Sequence, residues 1–306
     1  MNILFIGLGS IGSRHLKNVV SELTERQISF SIDALRHGSP KLNGDIAEHI
    51  NSIYSGITEI TKEYDAVFIT NPSFLHYETL KLAVPFSRAV FIEKPVFTKP
   101  DEDVSALKLK DSGIYYVACP LRRSPVISRL KIILGSQKVY SARAICSSYL
   151  PEWRKTKDYR DTYSAKSCMG GGVRTDLIHE MDYILNLFGI PVRVKSESGK
   201  FSALEIDSED TASYILRYPD KVVSLHLDYT GRKPVRELEL FCEQDTIVAD
   251  IIKNEIRYLK DGQVEKLAPS DIHREEIIYF LDLIENKVQN INSIENALNT
   301  LKYALL

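Results

Sequence analysis

Cysteine is scarce, with four in 306 residues, and Cys119, Cys146, Cys168 and Cys242 form no CxxC pair and no His/Cys cluster at metal-ligand spacing. That excludes a disulfide framework and a zinc module as the basis of the fold; no metal is expected, and the thiols read as reduced side chains of a cytoplasmic protein. Long apolar runs are missing too. None approaches the roughly 20 residues that span a bilayer, and the opening Met-Asn passes directly into an apolar stretch without a basic region or cleavage site, so neither membrane insertion nor export is expected. Charge of one sign is equally lacking: 39 basic and 41 acidic residues leave a net charge of -2. No broad positive field exists to hold nucleic acid or anionic lipid, so any anion must be bound locally. Internal repeats, low-complexity tracts and an obvious flexible linker are also absent.

What is present is a chain that is 44% hydrophobic and long enough for about two domains. Ile3-Leu4-Phe5-Ile6 is a short apolar run ended by glycines and followed by a helical stretch from Ser10 to about Thr24. Further strands are expected at Phe30–Leu35, Ala66–Thr70, Ala89–Ile92 and Ile114–Ala118, with a helix between the last two starting near Lys99-Pro100-Asp101. Strands alternating with helices give an α/β fold, a doubly wound parallel sheet of Rossmann type, over residues 1–120. Beyond Pro120, after one helix at Val126–Leu134, longer alternating strands at Val139–Ser147, Thr211–Arg217 and Val222–Tyr229 indicate a large, mostly antiparallel open sheet. Residues 121–306 are therefore expected to form an α+β second domain, with a helix at Asp176–Leu187 and two more between Asp271 and Leu306.

Gly7-Leu8-Gly9-Ser10-Ile11-Gly12 is a G-x-G-x-x-G pattern directly after a strand and directly before a helix, the context a dinucleotide site requires. Gly7 allows the turn, Gly9 the approach of backbone to pyrophosphate, and Gly12 close packing of helix on strand. Ser10 and Ile11 open the helix whose N-terminus attracts the phosphates. The choice between NAD and NADP turns on where the second strand ends. If it ends at Asp33, that carboxylate takes the ribose hydroxyls of NAD; if at Leu35, Arg36 and Ser39 are placed for the 2'-phosphate of NADP, which is the slightly favoured reading.

Taken with Glu93-Lys94-Pro95, these residues resemble the glucose-fructose oxidoreductase/inositol dehydrogenase (Gfo/Idh/MocA) family over nearly the whole chain. The matching pieces follow in the family's order: Gly7 to Gly12 with His15, Thr70-Asn-Pro-Ser-Phe-Leu-His76, Glu93-Lys94-Pro95, Leu121-Arg122 with Pro125, Gly170-Gly171-Gly172, Asp176-Leu-Ile-His179-Glu-Met-Asp182, and Asp207-Ser-Glu-Asp210-Thr. The resemblance implies that Asn71, Pro72 and His76 line the nicotinamide side of the cofactor. It implies that Glu93 holds a turn whose Lys-Pro bond is often cis, and that Lys94 reaches the reacting carbon and stabilises negative charge on the substrate oxygen.

By the same resemblance His179 is the acid/base and Asp176 its neighbour at the substrate. An imidazole, with an ordinary pKa near 6.5, suits removal of a hydroxyl proton as hydride leaves. The spacing departs from the commoner family pattern, in which acid and histidine are four apart. Here they are three apart, still on one helical face, and Asp176 could instead cap the helix. Ahead of the triple glycine, Tyr149-Leu-Pro-Glu-Trp153-Arg154 with Tyr159, Arg160 and Tyr163 forms a polar aromatic loop fit to roof a sugar. Trp153 and the tyrosines offer flat faces, and Arg154, Arg160 or Arg122 a partner for carboxylate or phosphate. The activity so implied is hydride transfer between NAD(P) and a sugar, sugar acid, nucleotide sugar or polyol by a homo-oligomer, dimer or tetramer. The alternative is a dinucleotide-binding regulator of the same fold without turnover.

Overall fold

Residues 1–36, 38 and 44–306 are described by the computed structural model. The opening apolar runs become a parallel sheet because strands buried on both faces need near-continuous hydrophobic sequence. In chain order the elements are β1 (Asn2–Ile6), α1 (Ser10–Glu25), β2 (Ser31–Leu35), α2 (Gly44–Ala47), β3 (Ile50–Tyr54), β4 (Tyr64–Ile69), α3 (His76–Ala83), β5 (Ser87–Ile92) and β6 (Ile114–Val117). The strand order is β3-β2-β1-β4-β5-β6 with every pair parallel. The chain winds outward from β1 to β3 and returns to β4 on the other side of β1. Its topological switch point therefore lies between the carboxyl ends of β1 and β4, where open α/β sheets bind ligands.

The helix expected from Lys99-Pro100-Asp101 does not form. A short 3-10 turn at Val104–Leu107 stands there, started by the Asp103 carboxylate accepting from the Ser105 amide and ended by Lys108 at φ +52°. A side chain that satisfies the local backbone competes with helix propagation.

The second set comprises α4 (Pro125–Leu134), β7 (Val139–Ser147), α5 (Val173–Asp176), α6 (Ile178–Phe188), β8 (Arg193–Gly199), β9 (Thr211–Arg217), β10 (Val222–Asp228), β11 (Val235–Cys242), β12 (Thr246–Asp250), β13 (Glu255–Tyr258) and β14 (Val264–Lys266). Its sheet runs β14-β13-β12-β11-β7-β10-β9-β8, antiparallel except where β10 pairs β7. One face is buried and one open, as the period-2 burial of β9 shows: Ala212, Tyr214 and Leu216 are buried while Ser213, Ile215 and Arg217 are exposed. The helix expected over Asp176–Leu187 is split at Leu177, whose φ of -97° and ψ of 25° leave α5 and α6 as separate pieces.

The chain ends with α7 (Ile272–Ile284) and α8 (Ile294–Ala304). Two units result: Met1–Ala118 with Asp271–Leu298, and Cys119–Ser270 with Asn299–Leu306. Residues 271–298, expected in the second domain, thus cluster with the first. The reason is apolar: Phe280 of α7 stands edge-on to Phe68 and Phe91 at 5.4 Å each, completing the aromatic core in which Phe5 stacks on Phe68 at 4.5 Å. Burying one such ring contributes about 2–3 kcal/mol, enough to fix where α7 docks. Among the described residues no helix is long and apolar enough to cross a membrane.

Candidate active site

In the first unit the glycine turn sits at the switch point. The Gly7 amide donates to the Leu35 carbonyl at 3.1 Å, and Thr70 Oγ1 to the Gly7 carbonyl at 2.5 Å, so the turn is tied to the ends of β2 and β4. A Cβ on Gly12 would meet the Gly7 oxygen at 2.4 Å, whereas one on Gly9 would meet nothing within 4 Å. Gly12 is thus required by the protein's own packing, and Gly9 faces open space. No side chain caps the first turn of α1, which begins with Ser10 and Ile11, and no acidic residue lies in it. Asn71, at the end of β4, donates from Nδ2 to Thr79 Oγ1 at 2.8 Å, while its buried Oδ1 has no hydrogen-bond partner among the described residues. An open cradle, uncapped amides and an orphaned acceptor are the features a dinucleotide fits.

β2 runs to Leu35, so Asp33 does not end it. Its side chain is buried, accepts from the Tyr64 hydroxyl at 2.6 Å and pairs with Lys62 Nζ at 2.7 Å. Arg36 is the first residue past the strand, its amide bonded to the Tyr54 carbonyl at 3.0 Å. Ser39 lies outside the described residues.

Glu93 and Lys94 follow β5, and the Lys94-Pro95 peptide is cis. Glu93 Oε1 lies 2.5 Å from Nε2 of the fully buried His15, and Glu93 Oε2 accepts from the Lys94 amide at 3.1 Å. Burial pushes the Glu93 carboxyl up, but its bond to His15 and the neighbouring positive charges hold it below its ordinary range. His76, expected against the nicotinamide, is buried, with Nδ1 3.0 Å from the Pro95 carbonyl and 3.2 Å from that of Val96, and Nε2 2.9 Å from that of Asn71. Pro72 precedes the short turn at Ser73–Leu75 that leads into α3.

In the second unit Asp176 is buried at the end of α5 and accepts from the Tyr229 hydroxyl at 2.6 Å and from Tyr163. Burial, then the Asp176 charge, pushes both phenols well above their ordinary pKa, so both stay protonated donors. Asp176 does not cap α6: the N-cap position is Leu177, with no side-chain cap. His179, half-buried, lies in the first turn of α6, next to Glu180, whose buried carboxylate pairs with Arg236 Nε at 2.7 Å. Gly171 lets the preceding loop close down, since a Cβ there would stand 2.1 Å from the Tyr163 carbonyl.

Within that loop, Trp153 donates from Nε1 to Ser148 Oγ at 2.9 Å and stands edge-on to Tyr229 at 5.2 Å. The loop therefore touches a partner of Asp176. Arg154 is exposed. Arg160 pairs with Asp158 and Glu205, and Tyr159 accepts from the Glu205 amide at 3.1 Å, so both are engaged by protein partners, Asp158 in the loop and Glu205 between β8 and β9. Arg122 makes a bidentate pair with Asp182 at 2.9 and 2.6 Å, both side chains nearly buried. Spacing alone did not point to Tyr229, and His15 entered only among the residues that carry the family resemblance; the available signal for Tyr229 was that it extends the inward-facing Leu225, Leu227 alternation of β10.

Comparison with known proteins identifies the family. Residues 1–112 match the model of the Gfo/Idh/MocA oxidoreductase family, NAD-binding Rossmann fold, and residues 137–248 match that family's C-terminal domain. The chain is 27% identical over 293 residues, 89% of this chain and 87% of the relative, to scyllo-inositol 2-dehydrogenase (NADP(+)) IolU of Bacillus subtilis (strain 168). Its fold is similar to that of UDP-N-acetylglucosamine 3-dehydrogenase GnnA from Acidithiobacillus ferrooxidans, with a TM-score of 0.79 at 19% identity, covering 100% of this chain and 95% of that one. It is also similar to that of levoglucosan dehydrogenase in complex with NADH and levoglucosan, with a TM-score of 0.82 at 16% identity, covering 99% and 95%. With the glycine turn, the Glu93-Lys94-Pro95 turn and the open sheet all in place, the chain belongs to the Gfo/Idh/MocA family of NAD-binding oxidoreductases.

Proposed function

We propose that the protein is a dehydrogenase or reductase that moves hydride between NADP and a hydroxyl or carbonyl carbon of a sugar, sugar acid, nucleotide sugar or polyol. The observation that carries this reading is the second unit's buried Asp176, held by two tyrosine hydroxyls beside a loop bearing Trp153. A fixed acceptor carboxylate next to an aromatic face suits a ligand with both hydroxyls and apolar C–H surfaces. Relatives whose names specify inositol, levoglucosan and a nucleotide sugar agree with that substrate class.

Bound NADP supplies the carbon that accepts or donates hydride. Gly7, Gly9, Ser10, Ile11 and Gly12 would hold its pyrophosphate, and Asn71 and Pro72 its nicotinamide end. The pairing of Asp33 inside β2 and the placement of Arg36 past its end favour the 2'-phosphate, with Asp33 removed as a ribose ligand. Lys94 would hydrogen-bond the substrate oxygen and stabilise its negative charge, and His179 would take or return the hydroxyl proton, with Asp176 orienting the substrate. Arg154 is the loop cation best placed for an acidic group, because Arg160 and Arg122 already have carboxylate partners.

The test is a fluorescence titration with NADPH and NADH, repeated on Arg36→Ala. Loss of one charge-assisted phosphate contact, about 1.5–3 kcal/mol, weakens NADPH by roughly 10- to 100-fold and leaves NADH nearly unchanged. A screen of sugar acids, polyols and nucleotide sugars follows, with Lys94→Ala and His179→Ala as inactive controls. Binding of neither cofactor overturns the reading.

A further inference from the structure

Lys94 is gripped by its own backbone from two directions. On the amide side, Glu93 Oε2 accepts the Lys94 N–H at 3.1 Å while Glu93 Oε1 is fixed on the buried His15 at 2.5 Å. On the carboxyl side, the next two carbonyls, those of Pro95 and Val96, converge on Nδ1 of His76 at 3.0 and 3.2 Å. The far nitrogen of the same ring lies 2.9 Å from the Asn71 carbonyl. Asn71 in turn abuts the glycine turn: a Cβ on Gly7 would stand 2.7 Å from the Asn71 nitrogen. One imidazole thus connects the Lys94 turn to the segment that borders the pyrophosphate loop.

The ring has no exposed edge, and burial, against the pull of the surrounding carbonyls, holds it in the neutral form. A neutral imidazole carries one N–H, yet carbonyl acceptors face both nitrogens. With the proton on Nε2, two carbonyls would face the bare Nδ1 lone pair; with it on Nδ1, one carbonyl faces Nε2. The Nδ1–H form leaves fewer repulsive contacts and directs its donation at the Lys94 turn.

We infer that His76 is a positioning residue for Lys94, a neutral Nδ1–H imidazole whose shared donation to the Pro95 and Val96 carbonyls locks the turn that carries the lysine. This rests on the reading of Lys94 as the group that meets the substrate oxygen, but it is tested without turnover. In the full-length protein labelled with 15N-histidine, the His76 nitrogens, identified by their loss in His76→Asn, are expected to show the Nδ1–H pattern. An Nε2–H or a cationic pattern overturns the inference.

Two amide substitutions then separate the two sides of the ring. Asparagine places its amide near Nδ1 and glutamine places its amide near Nε2. Hydrogen exchange of the peptide covering residues 93–97 is expected to stay within about twofold of wild type in His76→Asn and to rise roughly tenfold in His76→Gln, the worth of one hydrogen bond. The reverse order, or equal exchange in both variants, overturns the inference. The tautomer measurement is made on the wild-type protein, needs only one folded variant, His76→Asn or His76→Gln, to identify the His76 signals by their loss, and stands if the other fails to fold. Full turnover in Lys94→Ala would sink the catalytic reading of that lysine and leave the tautomer and exchange results as they are.

Discussion

Two alanine substitutions in one glycine turn should have opposite consequences, and the difference isolates the ligand from the fold. In Gly12→Ala the new methyl would lie 2.4 Å from the Gly7 oxygen and 2.6 Å from Thr70 Oγ1, well inside the roughly 3.5–4.0 Å of a favourable contact. That oxygen cannot retreat freely, because Thr70 Oγ1 donates to it. Overpacking of this kind costs about 3 kcal/mol, and the helix-propensity gain of alanine over glycine returns about 1 kcal/mol, so a net loss of about 2 kcal/mol is expected. For a unit of this size that lowers the melting temperature by roughly 4–8 °C. In Gly9→Ala the methyl meets no protein atom, and the backbone at φ -72° suits alanine. The poorer N-cap costs about 0.7 kcal/mol and the less flexible unfolded chain offsets about as much, so stability changes by less than about 0.5 kcal/mol. The same methyl fills the space through which a pyrophosphate must approach the backbone, and NADPH binding should weaken roughly 100-fold, about 2.7 kcal/mol. Urea unfolding and NADPH fluorescence titration measure the two quantities independently. If Gly9→Ala unfolds as early as Gly12→Ala, or binds NADPH as tightly as wild type, the assignment of Gly9 to the ligand is refuted.

Burial, and then the nearby Arg14 charge, pushes the His273 pKa down from 6.5 to about 4. The unfolded chain therefore protonates this imidazole between pH 6.5 and 4 while the folded chain does not. Stability is fully present above 6.5 and falls through that window, by roughly 2 kcal/mol after allowance for partial solvent access. His273→Phe should flatten the acid limb of a stability-against-pH series by that amount, and an unchanged limb contradicts the assignment. Arg122→Gln strands the nearly buried Asp182 and should cost about 3–5 kcal/mol in urea unfolding, with Arg122→Gln combined with Asp182→Asn recovering most of it. A loss below about 1 kcal/mol would return Arg122 to the substrate.

Five strands of the parallel sheet were legible because they are short apolar runs whose burial on both faces leaves little choice of side chain, as in Ile3 to Ile6 or Ala89 to Ile92, whereas the exposed edge strand Ile50–Tyr54 was not. The outer strands of the second sheet were not: Arg193–Gly199 reads RVKSESG, a half-exposed edge with almost no apolar alternation. Asp33 kept the choice between NAD and NADP open for a related reason. A carboxylate near the end of an apolar run suggests that the strand stops there, and only its distant partners Lys62 and Tyr64 make it compatible with a buried strand. The placement of α7 was hidden in the same way, since the apolar stripe holding Phe280 does not say which of two sheets it will cover.

The Asp176 and His179 pair shows most plainly what local spacing can and cannot convey. Three residues apart on one continuous helix, the two side chains would share a face. The chain instead breaks at Leu177, so that rule does not connect them. What orients Asp176 is a pair of tyrosines, one in the loop ahead of the triple glycine and one at the end of β10, 53 residues away in sequence. His179 belongs to α6, where its neighbour Glu180 is pinned to Arg236 of β11. Asp176 and the Glu180 that neighbours His179 are therefore tied to different strands of one sheet, on either side of the break between α5 and α6. A change to the Tyr163 loop should then disturb Asp176 while leaving the Glu180 anchor beside His179 in place.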